Sequence, residues 1–491
     1  MNPRLFLLAL AATLPTTFFG GENTPVARPS LLRLSSESAI QAALAKNFSI
    51  EVQRFEPRIA KEGVTSALGR FDPVFDLTAE RGEESQRGVF DSGIRLPVRR
   101  VSRLDTFSAG LSGATPLGLG YDLGLGSRNR EFENDLTSTA SLGLRLPLLR
   151  GLGPAANLAQ VRIARNNVMV SEWSLKRRII DIITETTFVY NELSLAEQGL
   201  QVAERSRQLA RQLLGDNEAR VKIGVMSPLD VAEARAEVAA REEGVILAQR
   251  AILDNENLLK QLVTNDLERL LDVRVEISTP PSPAFRADVP AGLREALELR
   301  PDYRQALLDI ERRNITVAFT KNNALPRFDL LGSLALLGFD NDYGSSLSRV
   351  GARDQTAWTV GAIISIPIPN RERRSEANAA KLEAAKALVA LQALEQQIIV
   401  QVDNASGQII TSRQRIVSTA EASRLAQISL DAGQDRLKAG TGTTFEVLGQ
   451  QEKLIRAEAA QLRARTDYNK AISEYQRQIG TALREQNVQF K

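Results

Sequence analysis

Hydrophobic and polar positions follow two rhythms along this chain, arranged in alternating blocks. Between Pro154 and Pro228, the residues Leu175, Ile179, Ile182, Thr186, Val189, Leu193, Ala196, Leu200 and Ala203 recur at intervals of four and three. That is a heptad seam, the pattern of a helix packed lengthwise against other helices. Leu391, Leu394, Ile398, Val402, Ala405 and Ile409 repeat the theme near the C-terminus. Proline inside a helix costs about 3 kcal/mol. The stretches 154–228, 228–280 and 369–491 contain no internal proline, so these are where long helices can run. A helix across the first would be about 100 Å long.

The second rhythm has period two. Leu117, Leu119, Tyr121, Leu123 and Leu125 alternate with Gly118, Gly120, Asp122, Gly124 and Gly126. Leu142, Leu144, Leu146 and Leu148 alternate with Gly143, Arg145 and Pro147, and Trp358 to Ile368 behaves similarly. Strands of about ten residues with one apolar face and one small or polar face suit a membrane barrel. They also suit a soluble sheet packed on one side.

The two rhythms recur because the chain is a tandem repeat. Residues 40–77 align without gaps on 293–330, so that Pro73-Val74-Phe75-Asp76-Leu77 meets Pro326-Arg327-Phe328-Asp329-Leu330. Leu146-Pro147-Leu148 parallels Ile366-Pro367-Ile368. Arg220-Val221-Lys222-Ile223-Gly224 parallels Arg436-Leu437-Lys438-Ala439-Gly440, and Ser227 to Val231 parallels Thr443 to Val447. Each half reads as helix, strands, very long helix, tight turn and returning helix. The first repeat spans 22–277, with strands in 73–148 and a helical hairpin in 152–270 turning near 224–230. Pro-rich residues 278–290 are the linker. The second repeat spans 291–491, with strands in 326–368 and a hairpin in 371–489 turning near 440–446. The strand region of the first repeat is 33 residues longer than its counterpart, 74 positions against 41. The surplus makes either an extra hairpin or a long external loop.

Composition narrows the chemistry. The 491 residues include no cysteine and no histidine. Disulfides, thiolate nucleophiles, Ser-His-Asp triads and imidazole metal ligands are therefore excluded. A net charge of +3 gives no footprint for nucleic acid, and no cofactor is called for. Arg4 followed by the apolar run Leu5 to Ala12 reads as an export signal over residues 1–21. That run is too short to span a bilayer as a helix. An exported chain without a spanning helix is left with solubility or β-structure in a membrane.

This ordered set of features resembles the TolC-type outer-membrane efflux family over essentially the whole mature chain. Phe71-Asp72-Pro73 and Leu148-Leu149-Arg150-Gly151 resemble a subgroup of it. The resemblance implies an α+β fold: an outer-membrane β-barrel closed by a homotrimer, continuing into a long α-helical coiled-coil barrel across the periplasm. Four strands from each of three chains would give twelve. It also implies outer-membrane lipid around the barrel, and a periplasmic adaptor and inner-membrane pump as partners. The function expected is a passive exit duct of a tripartite efflux or type I secretion system, not an enzyme.

The candidate site is the pair of hairpin turns. Gly224 and Gly440 have the positions of left-handed helix C-caps. Ser227 and Thr443, with Asp230 and Glu446 three residues on, have capping-box spacing. Asp230 and Glu446 are also pore-constriction candidates, because threefold repetition of a carboxylate at a narrow tip attracts cations. In the family, acidic residues of the second tip form such a constriction, and Glu446 matches one. Gly449 and Gly442 stand where the family has a second acid and a tip arginine. Arg220, Lys222, Gly224, Ser227, Arg436, Lys438, Gly440 and Thr443 are candidates for adaptor contact. Charge compensation at helix C-termini equally explains the basic ones. Trp358 and Tyr121 are candidates for an interfacial aromatic girdle. The basic cluster Arg371-Glu372-Arg373-Arg374, just after the last strand, reads as a solvated charged face. The competing readings are an exported coiled-coil scaffold or adhesion protein without channel activity, and a carboxylate enzyme of the glycosidase type, whose two acids would have to converge across a cleft.

Overall fold

A computed structural model describes residues 30–91, 94–130, 135–266, 273–353 and 355–486. The expected export signal lies outside these residues, as do the ends of both helical hairpins at 267–270 and 487–489. The chain opens with strand β1 (Ser30–Leu34), helix α1 (Ser36–Lys46) and helix α2 (Phe48–Leu68). Four strands follow: β2 (Val74–Asp91), β3 (Ile94–Ala114), β4 (Gly120–Arg130) and β5 (Asp135–Pro147). Then come the single turn α3 (Pro154–Asn157), the long α4 (Ala159–Lys222), α5 (Pro228–Val263) and β6 (Val273–Ile277). The second half contains α6 (Val289–Leu299), α7 (Pro301–Asn323), β7 (Arg327–Asp340), α8 (Tyr343–Ala352) and β8 (Gln355–Ser365). It closes with α9 (Arg371–Lys438), α10 (Thr444–Ile479) and the short α11 (Ala482–Glu485).

The heptad seams become α4 and α9, of 64 and 68 residues, each about 100 Å long. Their arms are unequal. The returning helices α5 and α10 have 36 residues each and cover only the tip-side portions. The remaining lengths of α4 and α9 are covered by α2 and α7, the helices that lead into the strands. Seam residues Ile179, Ile182, Thr186 and Leu193 of α4 are buried, as are Ile398, Val402, Ala405 and Ile409 of α9. No helix among the described residues is long and apolar enough to cross a bilayer.

Around the waist of the helices sits a small parallel pair, β1 with β6, packed with α1 on α4 and α5. Tyr190 of α4 fixes it from beneath: its hydroxyl lies 2.6 Å from the Ser278 carbonyl oxygen and 3.2 Å from that of Leu34. Glu256 and Lys260 of α5 form a buried ion pair at 3.2 Å, and the Glu256 carboxylate accepts the Val275 amide of β6 at 2.7 Å. On the other half, Arg300 binds Asp302, Gln401 and Gln478, and so joins the start of α7 to α9 and α10.

The remaining strands form one antiparallel sheet in the order β2-β3-β4-β5-β7-β8. The surplus in the first repeat thus includes an extra hairpin, β3–β4. Near the helices the sheet keeps its alternation across every pairing; farther out on β2 and β3 the apolar row gives way to the ion pairs Arg81–Asp105 and Glu83–Arg103. Phe75, Leu111, Leu123, Leu142, Leu334 and Trp358 lie opposite one another in turn across all six strands. The neighbouring row is Val74, Ser112, Asp122, Gly143, Ser333 and Thr359. One face is thus apolar and exposed, with Trp358 and Val360 each 75% accessible; the other is small and polar. Trp358 sits near the loop end of that apolar face. Tyr121 sits at the helix end, its ring over Gly113 opposite.

Candidate functional site

Both hairpin turns are built by the same local chemistry. At the end of α4, Gly224 adopts φ +79, its N–H donates to the Val221 carbonyl at 3.0 Å, and the Val225 N–H donates to that of Arg220 at 3.0 Å. At the end of α9, Gly440 adopts φ +75, with Gly440 N–H to Leu437 O at 3.2 Å and Thr441 N–H to Arg436 O at 2.9 Å. These are paired Schellman motifs, which use otherwise orphaned helix carbonyls. The following helices start with capping boxes. Asp230 accepts the Ser227 N–H at 3.3 Å and Glu446 accepts the Thr443 N–H at 3.4 Å, while the Ser227 and Thr443 hydroxyls cap α5 and α10.

The two turns meet. Leu213, Leu430, Leu437, Val447 and Leu454 form one apolar cluster between the hairpins. Two polar ties lie beside it. Arg220 donates to the Leu437 carbonyl oxygen at 2.8 Å. The buried Asn217 donates to the Thr444 hydroxyl at 3.2 Å and to the Asp230 carbonyl at 3.4 Å. The carboxylate of Glu446 also pairs with Arg436 at 3.5 Å, with the two side chains 45% and 60% exposed. Screening by solvent keeps such a pair weak, so the carboxylate remains available to ions. Lys438 lies 3.8 Å from Asp435, and Lys222 is exposed. Between them the turns expose Ile223, Val225, Leu229 and Phe445, an apolar tip with Lys222, Arg436 and Lys438 and the carboxylates of Asp435 and Glu446 nearby in the chain.

Sequence reasoning missed the ties made by Arg220 and Asn217, because a backbone carbonyl has no sequence signature. It also missed a charged collar where the sheet meets the helices. Asp329, 1% exposed, is bound by Arg145 and Arg327, each at 2.6 Å. Nearby, burial and the guanidiniums of Arg373 and Arg327 hold Arg150 below the ordinary arginine value. Within the segment Arg371 to Arg374, expected as a solvated face, Arg373 donates to the Asn323 carbonyl at the end of α7.

A sheet apolar on one face and small and polar on the other, joined at one end to helices about 100 Å long, is the arrangement of an outer-membrane channel with a helical extension. Residues 39–265 and 292–481 match the family described as Outer membrane efflux protein. The chain belongs to that family and is a protein of the outer membrane, reaching into the periplasm. The outer membrane efflux protein BepC of Brucella suis biovar 1 is 20% identical over 344 residues, 70% of this chain and 72% of that one. Among solved structures, the Campylobacter jejuni CmeC outer membrane channel is 17% identical, with a TM-score of 0.67 over 91% of this chain and 86% of that one. The Vibrio cholerae outer membrane protein VceC is 16% identical, with a TM-score of 0.68 over 91% of this chain and 96% of that one.

Proposed function

We propose that three copies of this chain join side by side into a closed conduit that carries cargo passively across the periplasm and outer membrane. The observation that carries this is the amphipathic sheet, whose terminal strands β2 and β8 pair on one side only among the described residues. An open edge cannot persist in lipid, because unpaired backbone groups there have no water to bind. Joining β2 of one copy to β8 of the next satisfies them. The pairing is antiparallel, since β2 leaves the helical end and β8 returns to it. The helices below then form the tunnel wall.

The conduit performs no chemistry of its own, and the energy comes from an inner-membrane pump reached through a periplasmic adaptor. The tip supports that role: Ile223, Val225, Leu229 and Phe445 give an adaptor an apolar footing, with Lys222, Arg436 and Lys438 around it. Gly224, Gly440, Ser227 and Thr443 shape the turns, and Arg220 holds them together. Glu446, with Asp230 as its repeat partner, sets the charge at the narrow end. The test is fractionation and reconstitution. The mature chain is expected with the outer membrane, soluble only in detergent, and conducting in planar bilayers as a trimer. A water-soluble monomer with no bilayer affinity would overturn the reading in favour of a coiled-coil scaffold.

A further inference from the structure

The β3–β4 hairpin changes the size of the conduit. We infer that the barrel closes with eighteen strands, six from each of three copies, where the family resemblance implies twelve. This rests on the trimeric conduit proposed above.

The tandem repeat locates the addition. The segment beginning β2 matches the segment beginning β7, and Leu146-Pro147-Leu148 at the end of β5 matches Ile366-Pro367-Ile368 beyond β8. The second repeat makes one hairpin between these landmarks, and the first makes two. A pair of strands is the smallest insertion that leaves β5 running in its original direction, back to the helices.

Three observations place the additional hairpin in the wall. First, it is bonded on both sides. β3 pairs with β2 from Ser112 opposite Val74 outward, and β4 pairs with β5 along its whole length, from Gly120 opposite Arg145 to Arg130 opposite Asp135. Second, its faces agree with the rest. Ala109 and Leu111 of β3 and Leu125 and Leu123 of β4 fall on the apolar face, opposite one another and opposite Leu77 and Phe75 of β2 and Ala140 and Leu142 of β5. A one-residue slip would invert every one of them. Third, its turn is anchored. The Gly153 N–H donates to the Leu117 carbonyl at 2.9 Å. Gly118, at φ +97, lies so close to the Gly151 carbonyl oxygen that a Cβ would approach it to 2.4 Å. Gly151 is itself held by Asn322 and Asn157. The Leu148 to Gly153 segment is thus the seat for the turn of the additional hairpin.

Geometry then gives the width. With strands about 4.8 Å apart and tilted about 40°, eighteen strands enclose a wall about 36 Å across, and twelve only about 24 Å. Four helices of each chain (α2, α4, α7 and α9) adjoin the strands. Twelve helices spaced at about 9–10 Å have a perimeter of about 110 Å, close to that of eighteen strands. The barrel therefore continues the tunnel without narrowing, and its cross-section is about twice that of a twelve-strand wall.

Electron cryomicroscopy of the mature full-length chain in lipid nanodiscs tests this by counting strands at mid-membrane. A trimer with eighteen strands and a wall about 36 Å wide is expected. A trimer with twelve, the additional hairpin lying outside or within the ring, overturns the inference and leaves the conduit intact. A particle that is not a trimer overturns both.

Discussion

Arg220, in the last turn of α4, donates a hydrogen bond to the carbonyl oxygen of Leu437, in the last turn of α9, at 2.8 Å. The bond joins the tips of the two hairpins of one chain. The carbonyl it uses lies at a helix C-terminus, where the macrodipole is negative and a cation is stabilised. The separation of the hairpins at the tip therefore depends on a long-range contact as well as on the apolar cluster around Leu213 and Leu430. Replacing Arg220 with Gln removes the charge and shortens the reach. The expected cost is about 1.5–3 kcal/mol, the value of a hydrogen bond to a charged group. Amide exchange should quicken in both turns, and the single-channel current should rise. Unchanged exchange over 213–230 and 430–447 together with unchanged current would show that the cluster alone holds the tip.

Glu446 serves two roles that one substitution can separate. Its carboxylate closes the capping box on Thr443 and contributes negative charge beside Arg436. Gln at the third position still closes a capping box, so Glu446→Gln should leave helix stability nearly unchanged. It should nonetheless reduce cation-over-anion permeability severalfold in planar bilayers, and Arg436→Gln should raise it. Reversal potentials under a salt gradient measure both. Wild-type selectivity in Glu446→Gln would leave Glu446 as a cap alone.

The turns were legible in the sequence because everything that builds them is local. Gly224, Ser227 and Asp230 dictate their geometry within seven residues, and the second repeat states the same pattern again. The unequal arms were not legible. No proline bars a helix between Pro228 and Pro280, yet α5 stops at Val263, because burial for the rest of α4 comes from α2, which lies on the far side of four strands in the chain. The strand signal failed in a similar way at β3. Arg81 pairs with Asp105 across the strands at 2.8 Å, and Arg103 with Glu83 at 3.6 Å. Where both faces of a hairpin carry polar residues, period two vanishes from the sequence although the ladder continues. The alternation from Leu117 to Gly126 did reveal β4, but Leu117 to Leu119 belong to its anchored turn.

That turn offers a comparison between two glycines with positive φ. Gly153, at φ +85, has nothing within 4 Å of the place a Cβ would occupy, whereas Gly118, at φ +97, faces the Gly151 carbonyl oxygen. Gly153→Ala should cost only the strain of its backbone, φ 85 and ψ 167, a region open essentially to glycine, about 1–3 kcal/mol. Gly118→Ala adds a backbone clash that the turn must move to relieve, so its loss should be clearly larger. Thermal dissociation of the folded species on semi-native gels ranks the two. Equal losses would mean that the turn does not bear on Gly151.

Asp302 gives the acid limb of stability. Burial alone would raise its carboxyl, but the hydrogen bonds and charge of Arg300 outweigh this and hold it below the usual carboxylate value. A folded-state pKa below the unfolded one makes a stabilising contribution that is complete above the unfolded value, about 3.9. It is lost as pH falls through the folded value, when the native carboxylate takes up its proton. Asp302→Asn should therefore be less stable than the parent at pH 7, by about 2 kcal/mol for a lost charged hydrogen bond. Arg300 would keep Gln401 and Gln478, so the fold should survive. The difference should shrink as the pH is lowered to about 2, below the unfolded value. Denaturant unfolding followed by the helical circular dichroism signal at several pH values measures it. A stability gap that stayed constant down to acid would mean that the Asp302 charge contributes nothing to the joint between α7, α9 and α10.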